Sequence, residues 1–146
     1  MTAISSSPFR LERFFPYRLS VLNEQVSRSL AALYSKEFGL TSPEWRAVAV
    51  LAGFQPLSAN GICNRTNMDK VRVTRAVARL IQAGLVSRQE DPDDRRYVSL
   101  RLTAQGMAVY DQILPRVQRR EAEILAVLSD EERAALDAIL GKLTQP

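Results

Sequence analysis

Apolar positions recur at helical spacing along this chain everywhere except between Leu85 and Leu102. Near the start, Phe15, Leu19, Leu22, Val26 and Leu33 follow alternating three- and four-residue steps, broken only at Ser29, and Leu30, Tyr34 and Phe38 broaden the stripe. Pro16 suits the opening of that helix and Gly39 its end. Thr41-Ser42-Pro43-Glu44 then reads as a capping box for a second helix, with Leu40 and Trp45 placed as a hydrophobic staple, so that Trp45 is read first as structural. Toward the end, Thr103 caps a long helix in which Tyr110, Ile113, Leu114, Val117, Ile124, Leu125 and Leu128 keep helical spacing on either side of Pro115. The proline is expected to kink it. Ser129-Asp130-Glu131-Glu132 is a further capping box, opening a last helix through Ala135, Leu136, Ile139, Leu140 and Leu143.

The middle of the chain is punctuated more finely. Ser58 caps a short helix ending near Arg65, with Gly61 lowering its regularity, and the turn Thr66-Asn67-Met68 leads to Asp69 as the N-cap of the next. Gly84 supplies the positive φ that ends it. Two short helices joined by a tight turn make a helix-turn-helix. After Gly84 the period changes to two: Leu85–Arg88 and Tyr97–Leu102 alternate as strands around the turn-rich Asp91-Pro92-Asp93-Asp94, which places a hairpin, or wing, behind the second helix. The predicted fold is therefore mainly α with a small β-wing: a winged helix-turn-helix flanked by long N- and C-terminal helices.

Charge gives that arrangement a use. From Arg65 to Arg101 there are nine basic residues against five acids, while the rest of the chain holds eleven of each, so the whole formal charge of +4 sits in one quarter of the sequence. A localised basic surface points to nucleic acid more specifically than a high pI alone. At about 100° per residue, Val73, Val77, Leu80 and Ile81 form one apolar stripe, and Arg72, Arg75 and Arg79 fall opposite it with only Val71, Ala78 and Gln82 beside them. Such a helix fits a B-DNA major groove.

The stretch from Asp69 to Gly106, with DPDDRR at the wing and LTAQG after it, resembles the MarR family of winged helix-turn-helix transcriptional regulators, and the likeness extends over most of the chain. In that family the arginine of the Asp94-x-Arg96 pair enters the minor groove and the aspartate holds it, a role the resemblance carries onto Arg96 and Asp94. A narrow minor groove attracts a guanidinium, and a carboxylate two residues earlier can fix its direction. The candidate DNA-binding residues are Lys70, Arg72, Thr74, Arg75, Arg79, Asp94, Arg95 and Arg96: Arg72 and Arg75 for base edges; Arg79, Lys70 and Arg95 for phosphate. The resemblance further implies one domain over 1–146, with dimerisation helices at about 10–38 and 104–143 around a DNA-binding lobe at about 41–103. The terminal helices carry more apolar surface than such a lobe needs, which fits a homodimer meeting successive major grooves of a duplex operator about 34–36 Å apart. The alternative is a monomeric bundle in which the stripes pack internally.

The resemblance also implies a small-molecule effector. Phe14-Phe15-Pro16-Tyr17-Arg18-Leu19-Ser20 with Pro43-Glu44-Trp45-Arg46 is similar to a subgroup linked to aromatic-acid or aromatic acyl-CoA catabolism, making Tyr17, Arg18, Trp45 and Arg46 candidate ligand-binding residues. Arg18 and Arg46 lie near helix starts, where dipole and guanidinium together can hold a carboxylate. They can equally form ion pairs with Glu44, Glu24 or neighbouring residues. A redox trigger is the alternative to a ligand, but Cys63, the only cysteine, falls in the first helix of the motif, where a lone cysteine is usually a small core residue. An adaptor that binds protein instead of DNA would need an apolar or acidic outward face on the helix that carries Arg72, Arg75 and Arg79.

Composition removes other classes. With 146 residues and 46% hydrophobic content the chain can bury one core but has no room for a large second domain. Without histidine, and with Asp91, Asp93 and Asp94 explained as turn chemistry, no enzyme, metal or cofactor is expected. The start lacks a basic n-region and an apolar h-region, and no apolar run nears the roughly 18 residues of a membrane span. A cytoplasmic, soluble protein with a frayed start is expected.

Overall fold

Side chains that satisfy open backbone donors set the helix starts from residue 41 onward. The computed structural model describes residues 7–145, so most of the expected frayed start lies outside the described residues. After a 3-10 turn at Leu11–Arg13 come α1 (Phe15–Ser35), α2 (Ser42–Phe54), α3 (Ala59–Thr66), α4 (Lys70–Gln82), β1 (Val86–Glu90), β2 (Val98–Leu102), α5 (Ala104–Leu125) and α6 (Asp130–Thr144). Thr41 Oγ1 accepts from Glu44 N–H at 3.3 Å while Glu44 Oε2 accepts from Thr41 N–H at 2.7 Å, closing the expected capping box; Ser129 and Glu132 close the same box at α6. Ser58, Asp69 and Thr103 each accept from the N–H three residues on, at 3.0, 2.9 and 3.0 Å. Each such cap stabilises by about 0.5–2 kcal/mol. Left-handed residues make the turns: Gly39 at φ +66°, Asn67 at +54° and Gly84 at +76°.

The core lies where α2, α3, α4, the strands and the first half of α5 converge, and Val48, Leu51, Ile62, Val73, Leu80 and Ile113 are its largest fully buried side chains. The expected apolar face of α4 is the buried one, through Val73, Ala76, Val77 and Leu80, with Ile81 packed at its margin. β1 and β2 pair antiparallel with Val86 opposite Leu102 and Glu90 opposite Val98. Leu57 exchanges two backbone hydrogen bonds with Leu100, at 2.8 and 3.2 Å, fixing the base of the wing to the α2–α3 connection, a pairing that local pattern does not disclose. Gly106 is required by the same packing: a Cβ there would stand 2.1 Å from the Leu85 carbonyl oxygen.

The terminal helices pack differently. Ser29, the polar break in the α1 stripe, takes the Arg120 guanidinium of α5 at 2.7 Å on its hydroxyl and 3.2 Å on its carbonyl, so the interruption is a tie between the two helices. Arg116 of α5 also pairs with Glu37, holding that carboxyl below its ordinary range. Pro115 lies inside α5 without ending it. The later part of the α1 stripe, Leu30, Tyr34 and Phe38, and Tyr110, Ile113 and Val117 of α5 join the core, while the outer parts of the stripes stay open. Phe14, Phe15, Leu19 and Leu22 are about half exposed, as are Ile139, Leu140 and Leu143, and α6 has no buried residue. The stripes therefore do not close into an internal bundle within one chain.

Candidate nucleic-acid interface

With its apolar face held by the core, α4 turns Lys70, Arg72, Thr74, Arg75 and Arg79 outward, all exposed, together with the exposed Val71 and the small Ala78. The Asp69 cap fixes the first turn and also approaches Arg72 Nε at 3.6 Å, both side chains being well exposed. Such a pair contributes little and exchanges readily with solvent. Arg79 differs. Its Nε lies 3.1 Å from Oε1 of Glu44, whose side chain is only 3% exposed. The sequence places Glu44 as a capping residue and as an ion-pair partner open to Arg18 or Arg46; the partner it takes, Arg79 on another helix, had no local signal. An open groove beside this pair is lined by Thr41, Pro43, Glu44, Arg72, Arg75 and Arg79.

At the wing, Asp94 and Arg96 form a two-pronged ion pair. Arg96 Nε donates to Oδ1 and Nη2 to Oδ2, each at 3.0 Å, and the Arg96 backbone N–H donates to Oδ1 at 3.1 Å. The Arg96 side chain and then its backbone N–H hold the Asp94 carboxyl below its ordinary range, and the Arg96 guanidinium is pushed up in turn. The remaining aspartates behave as turn residues, with Asp93 N–H donating to Asp91 Oδ1 at 2.8 Å. Arg95 is exposed beside them. Thus the wing presents an arginine whose direction is set before any partner arrives.

The four candidate ligand residues are not brought together within one chain. Trp45 stacks on Tyr34 of α1 and on Tyr110 of α5, with ring centroids 6.0 and 5.9 Å apart and planes 20° apart in both cases. It ties both long helices to the first turn of α2. Tyr17 and Arg18 lie at the other end of α1, seventeen and sixteen residues before Tyr34, or about 25 Å along the axis. Among the described residues neither Arg18 nor Arg46 makes an ion pair: Glu44 is taken by Arg79 and Glu24 by Arg28, at 2.7 Å. Cys63 is partly buried against the core.

A capped helix-turn-helix with an arginine face, a two-stranded wing and long flanking helices defines a winged-helix regulator. Among proteins of known sequence, a model described as the MarR family matches residues 38–96. The HTH-type transcriptional regulator PecS of Dickeya dadantii is 30% identical over 86% of this chain and 76% of its own length. The chain belongs to the MarR family of transcriptional regulators and is not an enzyme. Solved structures share the fold. That of Bordetella bronchiseptica BpsR, described for regulation of its DNA binding by 6-hydroxynicotinic acid, has a TM-score of 0.88 at 21% identity, covering 96% of this chain and 99% of that one. A mutant MarR from E. coli, complexed with operator DNA, has a TM-score of 0.83 at 23% identity, covering 94% and 99%. Among the described residues no helix is long and apolar enough to cross a membrane.

Proposed function

We propose that the protein binds a pseudo-palindromic duplex DNA operator as a homodimer, acts as a repressor, and is released by a small aromatic carboxylate or aromatic acyl-CoA. The observation that carries this is the outward face of α4, with Arg72 and Arg75 exposed on a helix fixed by its own core, beside a wing whose Arg96 is aimed by Asp94. The α4 face enters the major groove, Arg72 and Arg75 reading base edges, Thr74 beside them, and Lys70 on the flanking phosphate; Arg95 and Arg96 take phosphate and minor groove. The open apolar faces of α1 and α6 support residues 10–38 and 104–143 as the dimerisation helices around a lobe at 41–103. An aromatic carboxylate is supported by the regulation described for BpsR. If the dimer neutralises about six to ten phosphates, affinity falls by about 10³–10⁵ between about 50 and 200 mM salt. A filter-binding series checks this, and a flat response overturns the electrostatic interface. In the same assay Arg72→Ala or Arg75→Ala costs about 1–3 kcal/mol on operator and relaxes preference at particular base pairs. Equal losses on operator and random DNA for both variants would make them anchors, not readers.

A further inference from the structure

The three arginines on the outward face of α4 are not equivalent, and the difference lies in what each leaves behind when it turns to DNA. Arg75 makes no ion pair among the described residues. Arg72 faces Asp69 at 3.6 Å, but that aspartate is itself 63% exposed and keeps both water and the Arg72 N–H when the guanidinium leaves. Arg79 faces a carboxylate that is largely withdrawn from water. Glu44 is 3% exposed, with Oε2 on the Thr41 N–H at 2.7 Å and Oε1 beside Arg79 at 3.1 Å. Moving Arg79 onto a phosphate would leave a buried carboxylate without its counter-charge, and would bring a second anion toward the first.

Resting on the DNA-binding reading above, we infer that Glu44 is a positioning residue for the interface: it holds the exposed Arg79 by its Nε as a counter-ion, so that α4 engages DNA with Arg72 and Arg75 while the charge of Arg79 is balanced by the protein's own carboxylate. Glu44 thereby sets how many phosphates the lobe neutralises. Arg79 is in this account a tie between the α2 cap and α4, and not the phosphate anchor that its place on the helical wheel predicts.

The test is the salt dependence of operator binding by wild type, Glu44→Gln and Glu44→Gln/Arg79→Ala, measured by fluorescence anisotropy. Glutamine keeps an acceptor for the Thr41 N–H, so the capping box survives while the counter-charge goes. Freed, Arg79 adds about one phosphate per protomer, and the log–log slope of the dimer steepens by about 1.8, roughly a tenfold larger affinity loss between about 50 and 200 mM salt. The gain at low salt appears equally on random DNA, because a phosphate contact carries no sequence information. Adding Arg79→Ala returns the slope to that of wild type. A Glu44→Gln slope equal to wild type overturns the inference, as does a slope flattened by Arg79→Ala alone, which would make Arg79 a phosphate anchor already. Thermal melts establish that the glutamine variants are folded, so the result does not depend on the single Arg79→Ala protein surviving. A flat series for wild type would overturn the DNA-binding reading itself.

Discussion

Arg96 stands on an exposed wing, yet two hydrogen bonds from its guanidinium and one from its backbone N–H to Asp94 restrict it, so part of the entropy of ordering that side chain is lost on folding and not on binding. Arg96→Ala is expected to weaken operator binding while leaving the oligomeric state and inducer binding as they are, since the strands of the wing pack on α2, α3, α4 and α5. Asp94→Ala removes the orienting partner and keeps the charge, so it gives a milder form of the same defect. Anisotropy on operator and sedimentation on free protein check both, and equal defects would mean that the aspartate does more than orient. Acid has a definite sign here. Because Asp94 is held below its ordinary range by Arg96, the clamp is present above the unfolded value of about 3.9 and is lost as pH falls through the lower folded value. The difference in affinity between wild type and Asp94→Ala should therefore stay constant from about pH 8 to 5. A difference that faded within that window would place the carboxyl's titration far from where its partners hold it.

Among the elements, what was legible in the sequence was what is local in it. Caps at Thr41, Ser58, Asp69, Thr103 and Ser129 join residues three apart, so their chemistry is written in a four-residue window, and all five form. The apolar face of α4 and the alternation of the two strands are local in the same way. What could not be read were contacts that exist only once helices have docked: Leu57 on Leu100, Ser29 on Arg120, Arg79 on Glu44, and Trp45 on Tyr34 and Tyr110. Trp45 was legible as structural, but its sequence partner was Leu40 and its stacking partners were hidden. Gly106 falls between these cases. It was visible as part of LTAQG, but its reason is the Leu85 carbonyl oxygen, 2.1 Å from where a Cβ would sit, and backbone cannot move aside as a side chain can. Gly106→Ala is expected to separate the start of α5 from the base of the wing and to destabilise by about 1–3 kcal/mol. Gly53, with nothing within 4 Å of its own Cβ position, is the control, where alanine should be neutral or stabilising by up to about 1 kcal/mol. Urea midpoints compare the two, and a Gly106→Ala midpoint matching that of Gly53→Ala would mean that the junction yields.

At the scale of the whole molecule, the four candidate ligand residues and the open apolar helices bear on the same question. Tyr17 and Arg18 lie about 25 Å along α1 from the Tyr34 ring on which Trp45 stacks, so one chain cannot gather Arg18 and Arg46 around one carboxylate. A second copy can, if its α1 runs against the first through the half-exposed faces of Phe14, Phe15, Leu19 and Leu22, with α6 covering the rest. Each effector pocket would then take Arg46 from one protomer and Arg18 from its partner. Binding there would favour a spacing of the two lobes that no longer matches successive major grooves, and linkage requires the effector to bind free dimer more tightly than DNA-bound dimer by the factor with which it weakens DNA binding. Arg18→Ala and Arg46→Ala should each abolish release by whichever member of an aromatic-acid panel releases wild type, without loss of operator affinity. The decisive step is to mix them. In a heterodimer of the two variants one pocket carries both substitutions and the other carries none; random subunit exchange between equal amounts makes about half of the dimers heterodimers, so it should restore about a quarter of all effector sites. Calorimetry counts those sites and anisotropy follows release. Recovery of neither would separate the two arginines from a shared pocket, whereas a response that persists in the unmixed variants would place the effector elsewhere on the molecule.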